Sequence, residues 1–338
     1  MMAPYRTAVV ALICASAIAL AASARADIRV TDDAAEVIAL TRPAARIISL
    51  APHVTELLFA AGAGSHIVGA TRYSDYPPAA QSIPRIGDSF VVDSERILAL
   101  KPELIFAAAT FSVAALQRET RSIPIVFAQS ADPVAEGLVA SLSRPGGNIT
   151  GFSNFELSIG AKWVELLKQI APSMTRVAAF YDPSNPGAAG FLPMVESGAR
   201  SLSVEASTFA IREAHAIEPA IKAFAQHSNG GLILLPSPLM TTQRDLIISL
   251  ANQHRLPTVG AYRYYPAGGA LAAYGTDNIN LYQRAASYVD RILKGEKPAD
   301  LSVQQATKFE LIINLKTARA LGLEVPVALL ARTDEVIE

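Results

Sequence analysis

The chain has 338 residues, of which 51% are hydrophobic, and this is more than one core usually organises, so its length predicts roughly two domains. Its 29 lysines and arginines are balanced by 30 aspartates and glutamates, so the cationic excess of a nucleic-acid-binding protein is missing. A single cysteine excludes a disulfide framework, and stability must therefore come from a buried core.

The first 26 residues have the pattern of a signal peptide. Arg6 is followed by an apolar run at residues 7–22, and the run ends in the small-residue pattern Ala24-Arg25-Ala26. The run is shorter than the ~20 residues of a membrane-spanning helix, and no later run approaches that length. We expect cleavage after Ala26 and a soluble periplasmic protein. Cys14 lies inside this segment, so the mature chain carries no thiol.

Short apolar strands then alternate with amphipathic helices, which is typical of an α/β fold with parallel sheets. The predicted strands of the first part are 46–50, 66–70, 104–108 and 123–128, and its predicted helices are 54–61, 94–100 and 113–120. These elements predict a first doubly wound lobe, made of residues 27–132 and part of 275–338.

A second series of elements predicts a second doubly wound lobe, made of residues 133–274 and part of 275–338. Its predicted strands are 149–152, 176–181, 205–211, 231–235, 258–261 and 270–274, with helices such as 159–170 and 241–255 between them. No low-complexity linker separates the two series, so we expect the lobes to share several chain crossings. The predicted fold is two doubly wound α/β lobes with a ligand cleft between them.

The loops after these strands are the candidate binding site, because ligands bind outside the carboxyl ends of the strands in open α/β sheets. Hydroxyl, amide and aromatic side chains dominate the loops, and this composition favours a cleft for a small polar molecule over a reaction centre. The candidate ligand-binding residues are Pro52, His53, Tyr73, Thr110, Ser112 and Asp132 in the first series and Ser153, Tyr181, Asn185, Ser237, Tyr262 and Asp277 in the second.

Each of these residue types also has a purely structural interpretation. Tyrosines at strand ends can stack on a ligand or complete the core while the hydroxyl stays wet. Thr110 and Ser112 can cap the helix that follows them. Asp132 precedes Pro133, the pattern of a helix start with a capping carboxylate, but the same carboxylate could bind a ligand ammonium. Trp163 has the helical spacing of a core residue.

Motifs of catalysis and metal binding lack their required context. Gly62, Gly64 and Gly69 follow a helix and precede a strand, the reverse of a dinucleotide-binding loop. Ser153 lies in Gly151-Phe-Ser-Asn-Phe155, which lacks the closing glycine of a nucleophile elbow. The five histidines show no i,i+4 pair, so a zinc site has little support. We expect no enzyme activity, no cofactor and no metal.

The larger part of the chain resembles a known family. The runs that carry the resemblance are Ile123-Pro-Ile-Val-Phe127, Asp132-Pro-Val134, Gly137-Leu-Val-Ala-Ser-Leu142, Arg144-Pro-Gly-Gly-Asn-Ile-Thr-Gly151, Tyr274-Gly275 with Asp277, Ile292-Leu-Lys-Gly295, and Lys308-Phe-Glu-Leu311 with Asn314-Leu-Lys316. From about residue 100 to the end, the chain is similar to the ABC transporter substrate-binding family that includes receptors for aromatic amino acids. The resemblance implies a two-lobed fold of the type I periplasmic-binding class.

The segment at residues 46–106 resembles a second family. It carries Ile48-Ser-Leu-Ala-Pro52, Thr55-Glu-Leu57, Tyr73-Ser-Asp-Tyr-Pro-Pro78 and Glu95-Arg-Ile-Leu-Ala-Leu-Lys-Pro102. These runs are similar to the amino-terminal lobe of periplasmic cobalamin- and siderophore-binding proteins, and the two families join near residues 99–105. The resemblance implies that Glu95 lies on the outer face of the lobe and docks on the permease.

Together these observations predict a solute-binding protein of an ABC importer, not an enzyme. It would bind a small polar or amino-acid-like solute and deliver it as a monomer to a permease and its ATPase. Two alternatives stay open: a receptor for a chelated metal or a corrinoid, and an exported sensor or hydrolase on the same scaffold.

Overall fold

A computed structural model describes residues 28–31, 37–40, 46–60, 62–88, 93–108, 110–293 and 295–338. The predicted signal peptide lies outside the described residues. The described chain begins with a two-stranded antiparallel ribbon, β1 (Ile28–Thr31) and β2 (Val37–Leu40). Within these ranges, no helix has the length and apolar character needed to cross a membrane.

The first lobe is built on a six-stranded sheet. Its strands are β3 (Ile47–Ser49), β4 (Ile67–Ala70), β5 (Leu104–Ala108), β6 (Ile125–Ser130), β7 (Ile149–Ser153) and β13 (Gln304–Gln305). They lie in the order β13-β7-β6-β5-β3-β4, and all of their pairings are parallel. The helices between them are α1 (Pro52–Ala60), α2 (Ser94–Ala99) and α3 (Thr110–Glu119).

The strand at 149–153 corrects one sequence prediction, which placed 149–152 in the second series. β7 pairs with β6 from Ile125↔Ile149 onward and is fully buried in the first sheet. The breaker run at residues 144–147 suggested a boundary between lobes, but the chain only turns there and adds one more parallel strand. It leaves the first lobe after Ser153.

The second lobe is built on a seven-stranded sheet. Its strands are β8 (Arg176–Tyr181), β9 (Glu205–Ala210), β10 (Gly230–Leu234), β11 (Thr258–Gly260), β12 (Ala272–Thr276), β14 (Phe309–Asn314) and β15 (Glu335–Ile337), in the order β15-β14-β12-β11-β10-β8-β9. All pairings are parallel except β12 with β14. β14 runs the other way because the chain re-enters this lobe from the edge at which the parallel strands end.

After Ser153, nine α-helices of the described chain pack on these sheets or cap their loops. They are α4 (Ile159–Ile170), α5 (Pro186–Ala189), α6 (Leu192–Ser201), α7 (Ile217–Phe224), α8 (Pro238–Thr242), α9 (Arg244–Gln253), α10 (Tyr264–Ala267), α12 (Leu315–Leu321) and α13 (Val327–Leu330). A further helix, α11 (Asn278–Leu293), packs on the first sheet instead, where Leu281 and Ala285 join its buried cluster.

Apolar clusters cover both faces of each sheet, as doubly wound lobes require. The largest cluster of the second lobe contains Trp163, which is fully buried, and the indole Nε1 donates a hydrogen bond to the Tyr274 carbonyl oxygen at 2.7 Å. Trp163 is therefore the core residue that its spacing predicts. The predicted fold class of two doubly wound α/β lobes is confirmed.

Three chain crossings join the lobes, at residues 154–158, at Asp277 and at residues 306–308. The Asp277 backbone N–H donates to the Lys308 carbonyl oxygen at 3.1 Å, and the two side chains form an ion pair of 3.0 Å. The Thr276 hydroxyl donates to the Asn154 carbonyl oxygen. The crossings therefore run side by side and are bonded to one another.

Candidate ligand cleft

In each sheet the second strand lies on one side of the first strand and the third strand lies on its other side. The place where the chain changes sides is the switch point of the sheet. It lies between β3 and β5 in the first sheet and between β8 and β10 in the second. The loops after such neighbouring strands diverge and leave a crevice at their carboxyl ends. The loops of both switch points line a single cleft of about 290 Å³ between the lobes.

The cleft has two walls and a floor, which differ in origin. Ala51, Pro52, His53, Ala108, Thr110, Gln129, Ala131 and Glu136 form the wall of the first lobe. Asn185, Gly187, Phe191, Pro236, Ser237, Pro238, Thr241, Tyr262 and Tyr264 form the wall of the second lobe. Asn154, Phe155 and Asn278 lie at the crossings and form the floor.

Half of the predicted ligand-binding residues line this cleft. They are Pro52, His53, Thr110, Asn185, Ser237 and Tyr262. Each follows the carboxyl end of a parallel strand within a few residues, which is the feature on which the prediction rests. Their contact with a ligand stays a prediction.

Three other predicted residues of the first lobe do not line the cleft. Tyr73 is 77% exposed and has a positive φ of 65° in the long loop after β4. Ser112 is fully buried in the first turn of α3. Asp132 accepts a hydrogen bond from the Ala135 backbone N–H at 3.0 Å, so its carboxylate caps the turn that follows.

The remaining three predicted residues also lie off the cleft. The Ser153 hydroxyl donates to the Phe155 carbonyl oxygen at 3.1 Å, and the Tyr181 side chain packs on the core of the second lobe. Asp277 caps α11 by accepting from the Asn280 N–H at 3.1 Å. Burial raises the pKa of the Asp277 carboxyl, but the bond from Asn280 and the Lys308 ammonium outweigh it, and the pKa is lowered.

The carboxylate that does line the cleft is Glu136, four residues after Asp132. Its Oε2 accepts hydrogen bonds from the Thr110 hydroxyl at 2.9 Å and from the Ser130 hydroxyl. Its Oε1 accepts a long contact of 3.4 Å from the Asp132 N–H. One carboxylate oxygen is thus held by the first lobe, and the other keeps lone pairs for a ligand.

Glu136 also lies close to the second lobe. A Cβ atom built on Gly187, in α5 of the second lobe, would lie 2.9 Å from Glu136 Oε1 and 3.0 Å from the Ala131 Cβ. Both distances are shorter than side-chain contacts normally allow. The missing side chain of Gly187 therefore permits the approach of the lobes.

Aromatic rings line the second lobe's side of the cleft. Tyr262 stacks on Tyr264 with ring centroids 5.2 Å apart, and Phe155 contacts both Tyr262 at 6.0 Å and Phe191 at 5.5 Å. Such rings present large apolar faces to a ligand with little conformational freedom to lose. They form a continuous aromatic cluster, in which Phe155 and Phe191 are buried and the part-exposed Tyr262 and Tyr264 offer a surface suited to a flat or apolar ligand group.

The tyrosine hydroxyls of this surface stay protonated. Burial raises the pKa of Tyr262 far above its ordinary value, and burial likewise raises the pKa of Tyr264 to about 12. The Tyr264 hydroxyl shares a hydrogen bond of 2.8 Å with the Thr241 hydroxyl. These groups can donate and accept hydrogen bonds, but they bring no charge to the cleft.

His53 is the one histidine among the described lining residues. Its ring packs edge-on against Tyr282, with centroids 4.8 Å apart. Burial lowers the pKa of His53, and the nearby Glu56 carboxylate opposes part of that effect. The imidazole is therefore neutral at pH 7.

Two side-chain oxygens on the cleft floor have no hydrogen-bond partner within the described part of the chain. They are Oδ1 of Asn154 and Oδ1 of Asn278, and both are buried. Asn154 as a whole is only 3% exposed, and its backbone N–H donates to the Ser130 carbonyl oxygen at 3.1 Å. These acceptors are available to a ligand that donates hydrogen bonds.

Sequence reasoning missed several lining residues for identifiable reasons. Asn154 belongs to the same predicted loop as Ser153, and Phe155 follows directly, so taking the whole loop and one further residue finds both. Tyr264 lies two residues after Tyr262. Glu136 and Phe191 carry no local signal, because one is returned to the cleft by a tight turn and the other follows a short helix. No group of three or more metal-ligating side chains occurs within residues 28–338 where the structure describes them.

Comparisons with known proteins agree with this architecture. The family model of the ABC transporter substrate binding proteins matches residues 87–337. A tyrosine-binding protein of Clostridioides difficile is 29% identical over 225 residues, which cover 66% of this chain and 64% of that relative. The matched region therefore spans somewhat less than two thirds of the relative's length.

Two further similarities are informative. A vitamin B12-binding protein of Vibrio cholerae is 52% identical over 65 residues, which cover 19% of this chain and 24% of that protein. The crystal structure of an ABC domain from Streptococcus pneumonia in complex with L-Trp superposes with a TM-score of 0.73 at 22% identity and covers 86% of this chain and 98% of its own. The match to the B12-binding protein is partial, whereas the family model spans both lobes. The chain belongs to the ABC transporter substrate-binding protein family.

Proposed function

We propose that this protein is the periplasmic receptor of an ABC importer and that it binds an aromatic amino-acid-like solute between its lobes. The observation that carries the proposal is the aromatic cluster at a cleft between two lobes, where the part-exposed Tyr262 and Tyr264 are backed by the buried Phe155 and Phe191. Relatives that bind tyrosine and tryptophan support the same solute class.

The size of the cleft supports a single small solute. Its volume of about 290 Å³ lies at the lower end of the range that small-molecule pockets occupy. One amino acid with an aromatic side chain suits this space far better than a corrinoid does. The corrinoid alternative is supported only by the partial match to the vitamin B12-binding protein.

The partners of this receptor are proposed from the family. A signal peptide cleaved after Ala26 would deliver the chain to the periplasm, where a permease and its ATPase would receive the solute. Glu95, in the first turn of α2, is exposed and is the residue we assign to permease docking. The neighbouring Asp93 is not equivalent, because its carboxylate caps α2 through the Arg96 N–H at 3.0 Å.

Thermal denaturation with a panel of solutes tests the proposed ligand class. A solute that binds only the folded protein stabilises it by about 2.7 kcal/mol at one hundred times its dissociation constant. We expect tyrosine, tryptophan or phenylalanine to raise the melting temperature, and leucine, a siderophore and cobalamin to leave it unchanged.

The panel also separates the alternatives. A shift with cobalamin or a siderophore and none with aromatic amino acids would assign the protein to the second solute class. Chemical turnover of any panel compound, followed by mass spectrometry, would contradict the receptor function. The matched control is heat-unfolded protein, which should bind none of the solutes.

A further inference from the structure

We propose that the cleft selects its solute through a primary ammonium group, which the Glu136 carboxylate and Asn154 Oδ1 hold, and that the solute's carboxylate is secondary. This inference rests on the proposed function and names the chemical group that the site reads. It identifies the substrate class as aromatic compounds that carry an ammonium, whether or not a carboxylate accompanies it.

The charge of the cleft is the first argument. Glu136 is the only carboxylate among the described residues that line it, and no lysine or arginine lines it within the same part of the chain. His53 adds no charge at pH 7, because burial lowers its pKa. Arg244 packs behind the wall over the Tyr264 ring at 5.7 Å and pairs with Asp245 at 3.5 Å. The lining therefore has a negative formal charge, which favours a cation over an anion.

The geometry of Glu136 is the second argument. Hydrogen bonds from Thr110 and Ser130 fix the carboxylate through Oε2, so its orientation is set before a ligand arrives. Oε1 points toward the second lobe, as its short approach to the Cβ position of Gly187 shows. A carboxylate oxygen held this way forms a stronger hydrogen bond with an ammonium than with a neutral donor.

The unpartnered acceptors are the third argument. Asn154 lies beside Ser130 through its backbone hydrogen bond of 3.1 Å, and Ser130 in turn contacts Glu136. Oδ1 of the Asn154 side chain is buried without a donor in the described chain. Asn278 Oδ1 is a second such acceptor on the same floor. An ammonium has three N–H donors, so it can satisfy Glu136 and these amide oxygens together.

A carboxylate on the solute finds no matching cation. Lysine and arginine are the side chains that usually pair with carboxylates, and the described lining contains neither. Only hydroxyls, amides and backbone N–H groups remain for that role. Removing the ammonium from a ligand should therefore cost more affinity than removing the carboxylate.

The experiment compares three ligands that differ in one group each: L-tyrosine, tyramine and 3-(4-hydroxyphenyl)propionate, measured by titration calorimetry on the wild-type mature protein. We expect tyramine to bind within about tenfold of tyrosine and the propionate to bind about 100-fold more weakly than tyramine, the difference made by one charge-assisted contact in a desolvated site. The same set built on indole (tryptophan, tryptamine and indole-3-propionate) extends the test to the larger ring.

The outcomes separate this inference from the function on which it rests. If the propionates bind as tightly as the amines while tyrosine or tryptophan still binds, the aromatic receptor stands and the ammonium selection is wrong. If none of the six compounds binds, the proposed function fails, and this inference fails with it. Neither outcome depends on a variant that must fold.

A matched pair of variants then assigns the role to Glu136. Glu136→Gln keeps the side chain's shape and its acceptor for Thr110 and Ser130, and we expect it to weaken tyramine by about 30-fold or more and the propionate by less than about twofold. Glu119→Gln, the same change at the exposed end of α3, is the control and should bind both ligands as the wild type does. Wild-type affinity for tyramine in Glu136→Gln would overturn the assignment.

Discussion

The two lobes share one strand order but present different chemistry to the cleft. In both sheets the first strand lies between the second and the third, so both place a crevice at the same relative position. The first lobe fills its crevice with Glu136, Thr110 and His53, whereas the second lobe presents Tyr262 and Tyr264. Strand order therefore decides where a site forms, and the loops decide what it binds.

The walls also differ in how they are supported. Glu136 is oriented by hydrogen bonds from two hydroxyls, while the rings of the opposite wall are oriented by contact with one another. The hydrogen bonds fix the direction of the carboxylate, and the packing of the rings fixes their positions. On the proposed function, a solute that has both a charged and an apolar end would use both walls at once, and its binding would favour a state in which the lobes are close together.

The strongest test of this comparison is Gly187→Val, which keeps the walls apart. The Cβ of its side chain would lie 2.9 Å from Glu136 Oε1 and 3.0 Å from the Ala131 Cβ, so the walls would have to move apart. We expect the affinity for the aromatic amine to fall by about 100-fold, because the valine raises the free energy of the state in which the solute contacts both walls. Titration calorimetry measures the loss, and X-ray scattering should report lobes that stay separated with ligand present.

The control for this change is Gly147→Val, at a position where a Cβ meets nothing within 4 Å. It should bind ligand normally. Gly147→Val should also keep the apo free energy of unfolding within about 0.5 kcal/mol, since Gly147 is exposed. Wild-type affinity in Gly187→Val would show that the lobes do not close at this point.

A smaller effect is expected on the outer side of the first lobe, where the second lobe has no assigned counterpart. Glu95→Lys reverses an exposed charge at the start of α2, and we expect solute uptake in cells to fall by about tenfold because a docking contact becomes repulsive. Solute affinity of the purified protein should change by less than about twofold.

Glu103→Lys is the matched control, because it makes the same charge change at an exposed residue directly before β5. It should leave uptake normal. Uptake at the wild-type rate in Glu95→Lys would contradict a docking role for this carboxylate.

The smallest expected effect concerns pH and involves His53 on the wall of the first lobe. Its pKa is lowered by burial, with Glu56 opposing, so the ring gains a proton only as the pH falls below the ordinary histidine value near 6.5. The positive charge would then oppose a bound ammonium. We expect the affinity for tyramine to fall about threefold between pH 7 and pH 5 and to stay flat in His53→Gln.

The same proton also acts on folding. In the unfolded chain His53 has its ordinary, higher pKa and so takes up the proton more readily than in the folded protein. The free energy of unfolding therefore falls as the pH drops below that ordinary pKa, and His53→Gln should lose this part of the pH dependence. His227→Gln, a change at an exposed histidine outside the cleft, should keep the wild-type pH dependence. An equal slope in all three proteins would exclude His53 as its source.

The fold was largely predictable because each strand is short, buried and bounded by turn residues. Parallel strands buried on both faces, such as β5 and β10, appear in the sequence as continuous apolar runs. The place of β7 was not predictable, because the run at residues 144–147 contains the same breakers as a boundary between lobes. Only its pairing with β6 assigns it to the first sheet.

The candidate site was predictable where a residue follows a strand directly, as Ser237 follows β10 and Thr110 follows β5. It was not predictable where the chain turns back. Asp132 and Glu136 lie four residues apart in one tight turn closed by the Glu136 N–H and the Asp132 carbonyl oxygen at 2.8 Å. That turn directs the first carboxylate to a backbone N–H and the second to the cleft, a choice that depends on three-dimensional geometry and has no sequence pattern.

The three crossings have a consequence for the order in which the molecule can assemble. Neither lobe is a continuous piece of chain. The first lobe contains α11 and β13, which come from the carboxyl-terminal third, and the second sheet contains β14 and β15, which come from the last thirty residues. A ribosome must therefore make almost the whole chain before either sheet has all its strands. The first lobe cannot be prepared as a simple amino-terminal fragment, and cutting one crossing with a protease would leave the two halves joined by the other two.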